Sequence, residues 1–146
     1  MPLGLGTGKG AALRPIKVRT ILEAKGGEIF ALSPLDTVYE AIALMNEKRV
    51  GALLVMDEGR LVGIVSERDY ARKVILMGRS SKDTPIADIM SSPVIIVGPD
   101  ATVAECMRIM TEQRIRHLPV VEKDRVVGVV SIGDLVRVII TEQAET

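Results

Sequence analysis

Two short motifs place a hydroxyl and a carboxylate three residues apart: Gly63-Ile64-Val65-Ser66-Glu67-Arg68-Asp69 and Gly128-Val129-Val130-Ser131-Ile132-Gly133-Asp134. Each sits where a β-branched run gives way to a helical pattern. A helix N-terminus offers free N–H groups and the positive end of the helix dipole, which suits phosphate. Serine adds a hydroxyl there, and aspartate can accept two hydrogen bonds from a ribose diol. The same spacing is close to a helix capping box, which needs no ligand. Capping accounts for Ser and Asp. It accounts less well for the leading glycines, since a strand glycine admits another group close to the backbone.

A second candidate is Arg116-His117-Leu118-Pro119-Val120. Its counterpart earlier in the chain is Gly51-Ala52-Leu53-Leu54-Val55. Arg116 and His117 could reach a phosphate, while Gly51 and Ala52 leave room for a flat base against a strand. The plainer alternative is a surface charge beside a packed edge residue. Arg68, Arg72, Lys73 and Lys82 suit a solvated basic face and a polar linker, but Arg68 lies inside the Ser66–Asp69 motif. His117 is the only histidine, so a His-rich metal site is excluded. No serine lies in a nucleophile-elbow context. Cys106 is the only cysteine, which excludes an intrachain disulfide and fits a reducing cytoplasm. It falls on an apolar helix face, where a thiol is protected.

These candidates are positioned by a duplicated unit. Residues 31–74 align with residues 96–139 without a gap, each residue meeting the one 65 positions later (31 with 96). Identical pairs include Pro34 and Pro99, Thr37 and Thr102, Met45 and Met110, Gly63 and Gly128, Ser66 and Ser131, and Asp69 and Asp134. Each copy predicts strand, helix, strand, strand, helix. The first strands are expected at residues 29–32 and 94–97. Val38, Ala41, Ile42 and Met45 then recur at helical spacing, as do Val103, Cys106, Met107 and Met110. Two apolar runs around a polar turn follow in each copy, the pattern of a hairpin. The expected division is a flexible Gly-rich tail over residues 1–16, a first domain with its N-terminal helix over 17–78, a linker loop and short helix over 79–90, and a second domain over 91–146.

Composition narrows the classes. Hydrophobic residues make up 47 % and the formal net charge is zero, which argues against disorder and against a nucleic-acid partner. Aromatic residues make up 2 %, too few for base-stacking platforms. No apolar run reaches the roughly 18 residues of a membrane span. The glycine-rich stretch Gly4-Leu5-Gly6-Thr7-Gly8-Lys9-Gly10 fails as a phosphate loop, because Gly10 stands where Ser or Thr is required.

The tandem copies, Arg116-His117-Leu118-Pro119 and both Gly-x-x-Ser-x-x-Asp motifs together resemble the CBS domain, named after cystathionine β-synthase. The resemblance runs from about residue 17 to the end. It implies an α+β fold, two β-α-β-β-α units packed about a pseudo-twofold axis, and no catalysis. It implies adenine-nucleotide binding in the clefts between the units. One such site would join Ser131, Asp134, Arg116, His117 and Pro119 to Val50, Gly51 and Ala52. The other would join Ser66, Arg68 and Asp69 to Ile95, Ile96 and Ile115. AMP or NAD is favoured as the ligand; ATP, ADP and S-adenosylmethionine are also compatible. The chain is similar to short stand-alone pairs, which implies a cytoplasmic homodimer sensing a nucleotide for an unidentified protein partner. The last helix, with Leu135, Val136, Val138, Ile139 and Ile140, is expected to contribute to the dimer. A structural dimerisation module without a working ligand site is the alternative, and a metal or redox sensor using His117 and Cys106 a third.

Overall fold

The structure, a computed structural model, describes residues 15–145. The phosphate-loop lookalike at residues 4–12 and nearly all of the expected tail lie outside the described residues. The chain divides into two compact units, one of residues 28–95 and the other of residue 96 onward together with the chain through Gly27.

In the unit of residues 28–95, β1 (Ala31–Leu32) runs parallel to β2 (Ala52–Asp57), and β2 pairs antiparallel with β3 (Arg60–Ser66). Helix α2 (Val38–Lys48) lies between β1 and β2 in the chain. Its start is fixed by a capping box, with the Glu40 N–H donating to Thr37 Oγ1 at 3.1 Å and the Thr37 N–H donating to Glu40 Oε1 at 2.9 Å. Val38, Ala41 and Met45 point into the core with Leu53, Val55 and Val65. The hairpin turns through Glu58 (φ 50°) and Gly59 (φ 79°), the two consecutive positive φ values that match strand twist. After β3 comes a four-residue helix, α3 (Glu67–Tyr70), which widens into a π turn over Ala71–Ile75.

The other unit repeats this plan. Helix α4 (Val103–Gln113) is capped by Thr102 and Glu105 in the same way, and buries Val103, Cys106 and Met110. Strands β4 (His117–Glu122) and β5 (Arg125–Ser131) form the hairpin, and α5 (Ile132–Glu145) follows directly. The two hairpins share a bulge at equivalent positions, after Val55 and after Val120. The strand expected at residues 94–97 shrinks to one parallel bridge, Val97 with Val120. Ile95 and Ile96, ahead of it, are exposed. The strand expected at 29–32 likewise contracts to its last two residues.

The largest departure concerns the segments outside the repeat. Helix α1 (Val18–Lys25) was expected with the first copy; it packs in the unit of the second. The Val18 N–H donates to the Ala101 carbonyl, and the Val103 N–H to the Ile16 carbonyl. Residues 79–90, expected as a linker, form two short 3₁₀ turns within the unit of the first copy. There the Ile86 N–H donates to the Asp36 carbonyl and the Val38 N–H to the Thr84 carbonyl. Ile86 and Ile89 are core residues of that unit, as Val18 and Ile21 are of the other. The reason is area. A half of this size buries too little surface alone, and each needs an added apolar edge.

Candidate functional site

At the β5–α5 junction the backbone reverses from strand to helix, and Ser131 and Asp134 cap each other. The Ser131 N–H donates to Asp134 Oδ2 at 2.8 Å, and the Asp134 N–H to Ser131 Oγ at 3.2 Å. Asp134 is buried, with 6 % of its side chain exposed, and carries two cations. Lys25 Nζ, from α1, donates to Oδ2 at 2.8 Å, and Arg137 Nη2 donates to Oδ1 at 2.8 Å. Burial, the strongest single influence, pushes the Asp134 carboxyl up. The hydrogen bond and charge of Lys25 and the bonds from Ser131 outweigh it, so the pKa lies below the ordinary value. Lys25 Nζ is also bonded to the Val129 carbonyl at 3.0 Å.

Arg116 and His117 come to the same junction. The Arg116 carbonyl accepts the Ile132 N–H at 2.9 Å, and His117 pairs with Ser131 across the hairpin. Arg116 is exposed and has no ion-pair partner among the described residues. Burial holds the His117 imidazole below its ordinary pKa; the Asp134 charge opposes this, and Lys25 and Arg116 reinforce it. A neutral imidazole offers a ligand one donor and one acceptor rather than a charge. Pro119 lies in β4, where its carbonyl accepts the Val97 N–H at 3.1 Å.

The β3–α3 junction is built alike. The Ser66 N–H and Ser66 Oγ reach Asp69 Oδ2 at 2.9 and 3.0 Å, and the Asp69 N–H donates to Ser66 Oγ at 3.2 Å. Gly51 and Ala52 lie against it: the Gly51 carbonyl accepts the Glu67 N–H at 3.0 Å, and Ala52 pairs with Ser66. Val50 precedes them, half-buried, its N–H bonded to the Met45 carbonyl. Arg68 is exposed beside the motif, without an ion pair among the described residues. Ile115 packs against the core of its own unit, while Ile95 and Ile96 are exposed apolar residues ahead of Val97.

Both motif glycines have a structural explanation that the sequence left open. A Cβ on Gly128 would stand 2.6 Å from Leu22 Cδ2, and one on Gly63 would stand 2.5 Å from Met90 Sδ. The group approaching the strand is therefore a side chain of the added segment, from α1 in one unit and from residues 84–91 in the other. Lys73, expected in solvent, is instead half-exposed and bonded to Asp69 Oδ1 at 3.2 Å and to the Ile89 carbonyl at 2.9 Å. Lys82 lies over the Tyr39 ring. Lys25 and Arg137 escaped the sequence reading. The signal for Lys25 was a second alignment: Val18, Ile21 and Leu22 match Ile86, Ile89 and Met90 at 68 positions (18 to 86), not 65.

Cys106 is buried, and burial pushes its thiol up to about 11. Among the described residues no group of three His, Cys, Asp or Glu could hold a metal ion, and no helix is long and apolar enough to cross a membrane. Leu135, expected in an outward-facing patch, is fully buried in the core; Val138 and Ile139 pack against it, and only Val136 and Ile140 are exposed.

Comparison with known proteins agrees with this architecture. A profile of the CBS domain matches residues 26–75 and 86–141. The chain is 47 % identical over 115 residues to the mitochondrial CBS domain-containing protein CBSX3 of Arabidopsis thaliana, covering 75 % of this chain and 56 % of that one. The chain thus spans little more than half the length of that relative. A solved structure of a putative signal-transduction protein with CBS domains from Burkholderia ambifaria superposes with a TM-score of 0.84 at 50 % identity, covering 87 % of this chain and 96 % of that one. The CBS domain pair of protein MJ0100, solved in complex with 5′-methylthioadenosine and S-adenosylmethionine, superposes with a TM-score of 0.78 at 27 % identity, covering 88 % of this chain and 98 % of that one.

Proposed function

The chain belongs to the CBS domain family as a pair of CBS units, and on that premise we propose that it is a non-catalytic regulatory module whose ligand is an adenine nucleotide. The observation that carries the reading is the β5–α5 junction. It gathers a helix N-terminus, the Ser131 hydroxyl, the Asp134 carboxylate, and the cations Arg116, Lys25 and Arg137 within one unit. Net positive charge around a single carboxylate suits a phosphorylated ribose, with the carboxylate for the diol and the cations for phosphate. This favours AMP or NAD over S-adenosylmethionine, whose sulfonium brings positive charge of its own. The β3–α3 junction offers Ser66, Asp69 and Arg68, which has no ion pair among the described residues, for a second ligand. A conformational output requires that ligand bind two arrangements of the protein with different affinity.

A second reading, a structural association module, is favoured by the three donors that already occupy Asp134 and by the exposed apolar residues Ile75, Leu76, Met77 and Ile140. Association through Val136 and Ile140 with a second copy is compatible with either reading. Calorimetry with AMP, ADP, ATP, NAD and S-adenosylmethionine separates them. Saturable heat with AMP or NAD is expected at submillimolar to millimolar concentration; no heat with all five leaves the association module.

A further inference from the structure

The two oxygens of Asp134 are unequally filled. Among the described residues, Oδ2 accepts the Ser131 N–H and the Lys25 ammonium, both at 2.8 Å, while Oδ1 accepts only Arg137. A carboxylate oxygen has two lone pairs, so Oδ2 is full and Oδ1 has one place left. A ribose diol that donates one hydroxyl to each oxygen needs a place on Oδ2. The Ser131 N–H cannot leave it, because the turn into α5 holds that backbone group in place. Lys25 can leave.

We propose that Lys25 is an internal occupant of the Asp134 site, displaced by the ligand diol, so that binding frees the last turn of α1. This rests on the nucleotide reading above and adds to it the element that moves. Lys25 is the last residue of α1, and Gly26 (φ 92°) closes that helix with its N–H on the Leu22 carbonyl at 2.8 Å. Leu22 in turn fills the space over Gly128. The ammonium is bonded to both Asp134 Oδ2 and the Val129 carbonyl, and it ties the end of α1 to β5 and α5 together. Losing the carboxylate removes the charged half of that tie. Arg137 does not serve as such a tie. It belongs to the same helix as Asp134 and is three-quarters exposed, so its departure loosens no tertiary contact. The first copy has no such device, because the second donor on Asp69 Oδ2 is the hydroxyl of Ser66 itself, which rotates away freely.

The test compares AMP with 2′,3′-dideoxy-AMP, which carry the same charge, so that any attraction of Lys25 for phosphate cancels in the ratio of their affinities. Calorimetry of the full chain and of Lys25→Met should show that the variant raises the AMP preference about five- to tenfold, the scale of one charge-assisted hydrogen bond to a partly exposed group. An unchanged or lowered ratio overturns the proposal. In the unaltered chain, saturating AMP should speed amide hydrogen exchange at Lys25 and Gly26, the last protected amides of α1, and dideoxy-AMP should not; equal exchange with both overturns it without relying on a variant. No binding of any of the five nucleotides removes the nucleotide reading itself, whereas AMP binding with an unchanged ratio removes only the role of Lys25.

Discussion

The two Gly-x-x-Ser-x-x-Asp junctions have the same backbone recipe and different surroundings. Asp69 caps a helix of four residues that loosens into a π turn, is 16 % exposed, and finds its lysine on its own helix. Asp134 caps a helix of 14 residues, is 6 % exposed, and finds its lysine on α1. In both, a lysine ties the motif to the added segment: Lys73 to the Ile89 carbonyl, Lys25 through Asp134 itself. A duplicated unit has thus kept its cap and rebuilt the links around it. The second junction is the more tightly held, and the more consequential to disturb.

That contrast can be broken at the helix following each cap. Leu135 is fully buried, while its counterpart 65 residues earlier, Tyr70, is half-buried. Leu135→Ala should cost about 3 kcal/mol of unfolding free energy, and Tyr70→Ala about 1–2 kcal/mol, since truncation scales with buried volume and poor collapse of the site. Denaturant unfolding of both variants checks the order. Equal losses would mean that the two junctions are held alike.

A smaller effect is expected at the leading glycines. Gly128→Ala places a methyl 2.6 Å from Leu22 Cδ2 and should destabilise by about 1–3 kcal/mol through overpacking. The double variant Gly128→Ala with Leu22→Ala should lose less than the two single losses added together, because the clash is gone. Simple additivity would show that the glycine serves something other than α1. At Gly63 the nearest facing atom is the sulfur of Met90, on an unbranched side chain that adapts more easily, so Gly63→Ala should cost less than Gly128→Ala.

The helices, hairpins and caps were legible in the sequence because they are local. Ser66 with Asp69 and Ser131 with Asp134 name their own helix starts, and Val103, Cys106 and Met110 fall on one face whatever lies opposite. The duplication made each copy evidence for the other. What was not legible was which copy each added segment would join. Residues 16–22 precede the first copy and complete the second, and nothing in their own pattern says so. Their kinship with residues 84–90 is offset by three residues from the main repeat, so an alignment kept at 65 misses it. The site was half legible for the same reason. Ser131 and Asp134 announce themselves, but Lys25 reaches Asp134 only through that long-range packing.

The smallest and most specific effect belongs to His117, which has no counterpart in the first copy, where Ala52 stands. Its pKa is lowered in the fold, mainly by burial, from an ordinary value of 6.5. Above pH 6.5 the imidazole is neutral in both the folded and unfolded chains and stability is unaffected. As the pH falls below 6.5 the unfolded chain takes up a proton that the folded chain refuses, so stability declines until the folded pKa is passed. His117 is the only histidine, so a decline between pH 6.5 and 5.5 that disappears with its removal has one source. His117→Ala, which gives the second copy the residue of the first, should flatten the curve over that interval while leaving its shape at lower pH, where Asp134 loses its charge and its two cations lose their partner. Melting temperatures of both chains at pH 7.5, 6.5 and 5.5 decide the matter. The same decline in the variant would place the titrating group elsewhere and leave the asymmetry of the two junctions to the lysines alone.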